Sequence, residues 1–200
     1  ILTALQAVAK MPSGAYNPFF IHGPTGSGKT HLINSLKNEI TELHPDLTCV
    51  VVSGRELHEM DIITLSRSDV VLIDDLQSAL SKDAAGVSDI LSGLVDDGKQ
   101  VVASLNENPS DIDDMSYLLE KYEGHLTEET DMLDEKGLQA LVEAWVSWIN
   151  DSLSETGSEL EIIPEGQGVQ AIVEKASSAG EAVEILFACL KVIEERGDES

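Results

Sequence analysis

The chain has 200 residues, 42 % of them hydrophobic, and a formal net charge of −25 at pH 7. This length allows one substantial core and a small appendage, so we expect one compact domain followed by a small helical subdomain. The sequence contains neither a run of about 18 apolar residues nor a basic N-terminus that turns apolar, which argues against a membrane span and a secretory leader. We therefore expect a cytoplasmic protein, and Ile1 in place of methionine is compatible with an excised domain of a longer protein.

The charge is unevenly distributed along the chain. Residues 106–165 carry 17 acidic residues and only 2 lysines. Since affinity for nucleic acid comes largely from lysine and arginine at the phosphates, this composition argues against direct nucleic-acid binding. Two interpretations remain open, a solvated acidic surface and a docking face for a basic partner protein.

A glycine-rich loop, residues 23–30, follows the first predicted strand, Phe19–His22. Its sequence GPTGSGKT completes the G-x-x-x-x-G-K-[ST] pattern, and a helical apolar stripe follows it. We expect Gly23, Gly26 and Gly28 to let backbone N–H groups surround phosphates. Lys29 would reach the β- and γ-phosphates, and the Thr30 hydroxyl would hold Mg²⁺. The loop thus predicts a site for ATP or ADP with Mg²⁺.

Two acidic residues end a later predicted strand. A second buried strand is predicted at residues 48–52, and residues 69–73 then run through four apolar positions into Asp74 and Asp75. Asp74 would hold Mg²⁺ directly or through water, and Asp75 would polarise an attacking water molecule. The alternative is that the two aspartates only begin a turn.

A further strand, Gln100–Leu105, follows a helical stripe at residues 87–95 and ends at Asn106. Asn106 either orients a hydrolytic water molecule or merely terminates the strand. The alternation of strands and helices predicts a parallel sheet.

Four segments carry a family resemblance: YNPFFIHGP at 16–24, GKTHL at 28–32, LIDDLQ at 72–77 and GKQVV at 98–102. The chain resembles the AAA+ domain of the bacterial replication initiator DnaA and of its shorter relative Hda. The resemblance implies an α/β P-loop NTPase fold, with a five-stranded parallel sheet flanked by helices and a C-terminal helical lid. It places the nucleotide-binding domain at residues 1–133 and the lid at 134–200, with residues 125–127 as the fifth strand.

The same resemblance assigns roles to residues. Lys29 and Thr30 match Walker A, Asp74 and Asp75 match Walker B, and Asn106 matches sensor 1. The lid would bury three apolar stripes, composed of Leu138, Leu141, Val142, Trp145, Trp148 and Ile149, then Val169, Ile172, Val173 and Ala176, and then Ile185, Leu186, Cys189, Leu190 and Ile193.

The chain also departs from the family pattern. The expected arginine finger belongs to a helix that would run from Asp111 to Tyr122, where only Lys121 offers a cation, and no arginine occurs between Arg67 and Arg196. Gly180 lies near the position of the sensor 2 arginine. The segment between the second strand and Walker B leaves no room for the initiators' extra helix, and the resemblance finds no duplex-binding domain within these residues.

These departures favour a regulatory or adaptor module that binds ATP or ADP, acts through a protein partner and hydrolyses ATP weakly or only with that partner. A nucleotide-dependent oligomer is compatible with this hypothesis. The alternative is an AAA+ ATPase motor, or a helicase-loader type of protein, that a partner activates by supplying an arginine. A small-molecule phosphoryl-transfer enzyme is disfavoured, because no arginines lie near the lid to bind a second substrate.

Overall fold

The computed structural model describes residues 1–60, 62–155 and 166–197, with the backbone alone for residues 62, 152–155, 166–167 and 190–197. The chain divides into two compact units, Ile1–Asp131 and Met132–Ser200. Within the described ranges, no helix is both long and apolar enough to cross a bilayer.

The first unit is built on a five-stranded parallel sheet, as predicted. The strands are β1 (Phe19–His22), β2 (Cys49–Ser53), β3 (Val70–Asp74), β4 (Gln100–Leu105) and β5 (Leu126–Glu129). Their order across the sheet is β2-β3-β4-β1-β5, with every pair parallel. The central strands β1 and β4 are buried along their whole length, which explains why their sequences are continuous apolar runs rather than alternating ones. Strand β5 lies one residue later at its start and two later at its end than predicted.

Helices cover both faces of the sheet. The first unit contains α1 (Leu2–Lys10), α2 (Lys29–Leu43), α3 (Ile62–Arg67), α4 (Leu76–Asp96) and α5 (Ser116–Lys121). Helices α1 and α2 pack on one face, where Ile33, Leu36 and Ile40 meet alternate residues of β1 and β3. Helices α4 and α5 pack on the other face. The side chains of this unit therefore form two apolar layers with the sheet between them.

The expected helix from Asp111 to Tyr122 is wrong in its first half. That half consists of two short 3₁₀ turns, Pro109–Asp111 and Asp113–Met115, and only α5 is α-helical. The Asn108 side chain caps the first turn by accepting a hydrogen bond from the Ser110 N–H at 2.9 Å. Asparagine and aspartate side chains form short-range hydrogen bonds of this kind in competition with a continuous helix. Residues 108–114 contain four asparagine or aspartate residues.

Helix α4 is longer than the stripe at 87–95 predicted, and it is broken. Asp83 has φ −157° and ψ 86°, which is not helical, and its Oδ1 accepts a hydrogen bond from the Gly86 N–H at 3.0 Å. Asp83 thus acts as the N-cap of a second helical segment. The first segment, residues 76–82, begins directly after Asp75.

The second unit contains α6 (Glu135–Glu155), α7 (Gly166–Lys175) and α8 (Ala179–Gly197). Its core contains Leu138, Val142, Val146, Val169, Ile172, Val173, Ala182 and Leu186. The prediction that Trp148 belongs to this core is wrong, because its side chain is 58 % exposed and meets the Trp145 ring edge-on at 5.5 Å. Cys189 is also exposed. The side chains of Leu190 and Ile193 lie outside the described residues.

Candidate functional site

The candidate residues converge at the carboxyl edge of the sheet, where parallel strands place their ligand sites. The end of β1 lies between β4 and β5, with His22 opposite both Leu105 and Glu129. Two backbone hydrogen bonds extend this pairing, from Gly23 N–H to the Leu105 carbonyl at 3.2 Å and from Thr130 N–H to the His22 carbonyl at 2.7 Å. The loop at 23–30 therefore starts from a fixed position.

The glycines of the loop have backbone geometries that other residues rarely adopt. Gly23 has φ 151°, and a Cβ at this position would collide with the carbonyl and the hydroxyl of Thr130. Gly26 and Gly28 both have φ 89°, in the left-handed region that favours glycine. Thr130 also holds the loop, through a hydrogen bond of 2.6 Å between its hydroxyl and that of Ser27.

The loop ends at the N-terminus of α2. Gly28 is the N-cap and carries no side chain to cap the helix. The first N–H groups of a helix lack partners within the helix, and the helix dipole adds positive potential there. Backbone N–H groups at the N-terminus of α2 are thus suited to bind an anion such as a phosphate.

Lys29 is the buried cation of the site. Its Nζ donates hydrogen bonds to the carbonyls of Gly23 at 2.6 Å and Pro24 at 2.8 Å, so the side chain folds back along the loop. Burial lowers the pKa of Lys29 below its usual value, while the nearby carboxylates of Asp74 and Asp75 oppose this shift. The positive charge of Lys29 is poorly solvated, which favours a negatively charged ligand.

Thr30 and Asp74 form the candidate metal site. The Thr30 hydroxyl donates a hydrogen bond to Asp74 Oδ2 at 2.8 Å, and the Ser104 hydroxyl donates one to Asp74 Oδ1 at 2.6 Å. Mg²⁺ prefers hard oxygen ligands, and in nucleotide sites it takes one or two from the protein and the rest from water and phosphates. This pair of oxygens fits that chemistry. Among the described residues no group of three or more His, Cys, Asp or Glu side chains forms a metal cage, which Mg²⁺ in such a site does not need.

Asp75 is at the same edge, but its carboxylate is engaged. It has φ 58° and ψ 52°, and its Oδ2 accepts a hydrogen bond of 2.5 Å from the Ser78 hydroxyl and lies 3.7 Å from Arg55 Nε. Gly54 permits this turn, because a Cβ there would collide with the Asp75 carbonyl. In this conformation the proposed base is oriented towards the start of α4.

Asn106 directly follows β4, next to the start of the loop, and its side chain is exposed. Gln77 holds its backbone: Gln77 Oε1 accepts a hydrogen bond from the Asn106 N–H at 3.0 Å, and Gln77 Nε2 donates one to Glu107 Oε1 at 3.0 Å. The structure thus brings Asn106 to the edge where Lys29 and Asp74 lie.

Sequence reasoning missed several residues that hold the site together. For Ser104 a signal existed, since it is a polar residue within the apolar run of residues 101–105. For Thr130, Gln77 and Ser78 none existed, because their roles depend on contacts across the sheet or along α4.

The structure also describes the positions where the family resemblance predicts arginines that this chain does not have. Lys121 Nζ lies 2.7 Å from Asp96 Oδ2 and packs over the rings of Tyr117 and Tyr122, at 5.9 and 5.0 Å from their centroids. The hydrogen bond that Lys121 donates to Asp96 raises the pKa of Lys121 above its ordinary value. Lys121 is therefore committed to contacts within its own unit. Gly180 is exposed near the start of α8.

The model of the bacterial DnaA ATPase domain matches residues 1–127. The chain belongs to this family. Curated members of the DnaA family include the chromosomal replication initiator of Streptococcus mutans, 32 % identical over 133 residues that cover 58 % of this chain and 29 % of that protein. The initiator of Kosmotoga olearia is 33 % identical over 116 residues, covering 50 % of this chain and 26 % of that protein. The chain thus spans less than a third of the length of these relatives.

Solved structures agree in fold. Domain III of the Thermotoga maritima DnaA protein superposes with a TM-score of 0.76 at 23 % identity, covering 98 % of this chain and 83 % of that one. A replication initiator DnaA bound to AMPPCP and single-stranded DNA gives a TM-score of 0.67 at 18 % identity, covering 98 % and 63 %. A Thermotoga maritima RuvB mutant gives 0.65 at 19 % identity, covering 96 % and 62 %. The predicted AAA+ P-loop NTPase fold is confirmed.

Proposed function

We propose that this DnaA-type domain binds ATP or ADP with Mg²⁺ and acts as a regulatory or adaptor module through a protein partner, with slow hydrolysis on its own. The observation that carries the nucleotide assignment is the assembly of Lys29, the start of α2 and the Thr30–Asp74 pair at one edge of the sheet. These groups supply a cation, oriented N–H donors and oxygen ligands. A nucleotide with its metal needs all three.

The geometry favours binding over rapid turnover. Asp75, the candidate base, is held by Ser78 and Arg55, and the cation nearest to the expected arginine finger, Lys121, is paired with Asp96. An arginine at the transferred phosphoryl group contributes on the order of 10³- to 10⁵-fold in rate. Without one, turnover by the isolated chain is expected to be slow.

The nucleotide assignment is tested by Lys29→Ala. Because Lys29 is the buried cation that would face the phosphates, its loss is expected to weaken ATP binding roughly 10- to 100-fold. Isothermal titration calorimetry with ATP and Mg²⁺ measures this change, and a thermal melt checks that the variant is folded. Lys37→Ala is the matched control, since Lys37 is exposed on the same helix. Equal affinities for wild type and Lys29→Ala would sink the proposal.

A partner-activated ATPase motor, or helicase-loader type of protein, is the second candidate, because Asp75 and Asn106 both lie at the edge of the sheet that carries Lys29 and Asp74. It requires a partner that supplies an arginine and raises turnover by orders of magnitude. Asp75→Asn should abolish the stimulated turnover while ATP binding persists. If a partner that binds the ATP form fails to raise turnover, the adaptor role stands.

The acidic composition supports a protein partner with a basic surface rather than direct nucleic-acid contact. Fluorescence anisotropy with a labelled duplex and a labelled single strand, at low salt and with ATP present, is expected to show no saturable binding. Saturable binding by the wild-type chain would contradict this part of the proposal.

A further inference from the structure

Ser104 joins the two acidic residues of the site from inside the sheet. It lies in β4, which is flanked by β3 and β1, and it is 1 % exposed. The neighbouring residues of β4, from Val101 to Leu105, are otherwise apolar. A buried hydroxyl in this setting requires hydrogen-bond partners. If the position served only to fill the hydrophobic core, alanine would do so equally well.

Both hydrogen-bonding functions of the hydroxyl are used at the site. The Ser104 O–H donates to Asp74 Oδ1 at 2.6 Å, and its oxygen accepts from the Asp75 N–H at 2.9 Å. A serine hydroxyl has a single proton to donate, so its direction is fixed towards Asp74. One side chain therefore fixes the orientation of the Asp74 carboxylate and the position of the Asp75 backbone N–H.

The consequence for Asp74 is a fixed carboxylate plane. With Oδ1 bound by Ser104, the remaining oxygen, Oδ2, faces the Thr30 hydroxyl at 2.8 Å. Without Ser104, the carboxylate would be free to turn about the Cβ–Cγ bond through angles at which neither oxygen faces the Thr30 hydroxyl. The pair that fits a magnesium ion would then be formed only part of the time.

The consequence for Asp75 is a stabilised turn. Its backbone is in the left-handed region, which is unfavourable for a residue with a Cβ. The peptide group before Asp75 is held at both ends: its N–H donates to Ser104, and its carbonyl, that of Asp74, accepts from the Gly54 N–H at 2.7 Å. The two acids thus depend on the same contacts for their placement.

We propose that Ser104 is a positioning residue that orients the Asp74 carboxylate towards the metal side of the nucleotide site. Through this orientation, Ser104 determines how strongly Mg²⁺ raises the affinity for nucleotide. This inference rests on the proposed nucleotide binding. It assigns Ser104 no contact with nucleotide or metal. A residue that hydrogen-bonds a metal ligand typically contributes 10- to 100-fold to metal affinity.

The test compares ATP affinity with Mg²⁺ and with EDTA for wild type, Ser104→Ala and Ser104→Thr. For Ser104→Ala we expect unchanged affinity in EDTA and a roughly 10-fold rise in the Mg²⁺ concentration that gives half of the metal-dependent gain. Ser104→Thr keeps the hydroxyl and should stay close to wild type. If Ser104→Ala fails to fold by thermal melt, Ser104→Cys replaces it, since a thiol is a much weaker donor, and the same rise is expected.

Ser68→Ala is the matched control. Ser68 is 2 % exposed and donates to the Thr64 carbonyl at 2.9 Å, away from the loop, so its loss costs stability without touching Asp74. A wild-type magnesium dependence in folded Ser104→Ala or Ser104→Cys, or the same change in Ser68→Ala, would overturn the inference. Failure of the wild-type chain to bind ATP at all would instead overturn the proposed function.

Discussion

At the scale of single residues, the conformation of the phosphate loop depends on the absence of a Cβ at its glycines. Gly23 faces the carbonyl and the hydroxyl of Thr130, although the two residues lie 107 positions apart in the chain. A glycine pattern in a sequence usually signals the ligand side of a loop. Here Gly23 also marks the place where Thr130, the residue directly after β5, packs against the loop.

Gly23→Ala tests this approach. The added Cβ would meet Thr130, and φ 151° is strained for alanine, so we expect a loss of about 2 kcal/mol or more in the free energy of unfolding. Urea denaturation measures the loss. Gly93→Ala is the control, because Gly93 lies inside α4 with nothing within 4 Å of an added Cβ, and it should stabilise the chain by about 0.5–1 kcal/mol. Equal effects at both positions would refute the assigned role of Thr130.

At the scale of elements, α5 is tied to the C-terminal end of α4 by one polar cluster. Asp96 accepts hydrogen bonds from Lys121 Nζ at 2.7 Å and from the Tyr122 hydroxyl at 2.8 Å. The hydrogen bonds from Lys121 and Tyr122 lower the pKa of Asp96. The cluster thereby offsets the unfavourable position of a carboxylate at a helix C-terminus.

This cluster predicts a pH dependence. Because the pKa of Asp96 is lowered on folding, its stabilising contribution is present above the ordinary carboxyl pKa and is lost as the pH falls through the lowered value. Asp96→Asn should lower the melting temperature at pH 7 by at most a few degrees, since the pair is exposed, and the difference from wild type should shrink near pH 3. Asp97→Asn removes a charge from the same helix end without removing these contacts. A larger loss in Asp97→Asn than in Asp96→Asn would contradict this assignment.

At the scale of the whole molecule, the parts of the fold that sequence could predict are those with local signals. The buried strands were continuous apolar runs, so β1 and β4 were predicted with their observed bounds. The elements between Asn108 and Lys121 were not, because Asn108 caps a separate 3₁₀ turn there and the chain does not run as one continuous helix. The loop and the Asp pair came from a motif, whereas Ser104, Gln77 and Thr130 act across strands that sequence spacing does not bring together. Trp148 was assigned to the core because helical periodicity does not distinguish the edge of a stripe from its centre.

The net charge of −25 predicts a response to salt at the same scale. Self-repulsion among the acidic residues should be relieved as the Debye length falls from about 30 Å at 0.01 M to about 3 Å at 1 M salt. We expect the melting temperature to rise with NaCl and to change less in a neutral osmolyte of equal osmolarity. A fall with NaCl would mean that attractive pairs, such as Lys121 with Asp96, outweigh the repulsion.

The break of α4 at Asp83 has a consequence for how this domain can change through evolution. In an unbroken helix, inserting one residue turns everything beyond it by about 100° relative to everything before it. Here the segment 76–82, which carries Gln77 and Ser78, ends before the new N-cap at Asp83. An insertion or deletion in residues 84–96 would turn the buried side chains of Val87 and Leu91 away from the core, while the contacts to Asp75 and Asn106 would keep their register. The core thus limits changes in the second segment, and the contacts to Asp75 and Asn106 limit changes in the first.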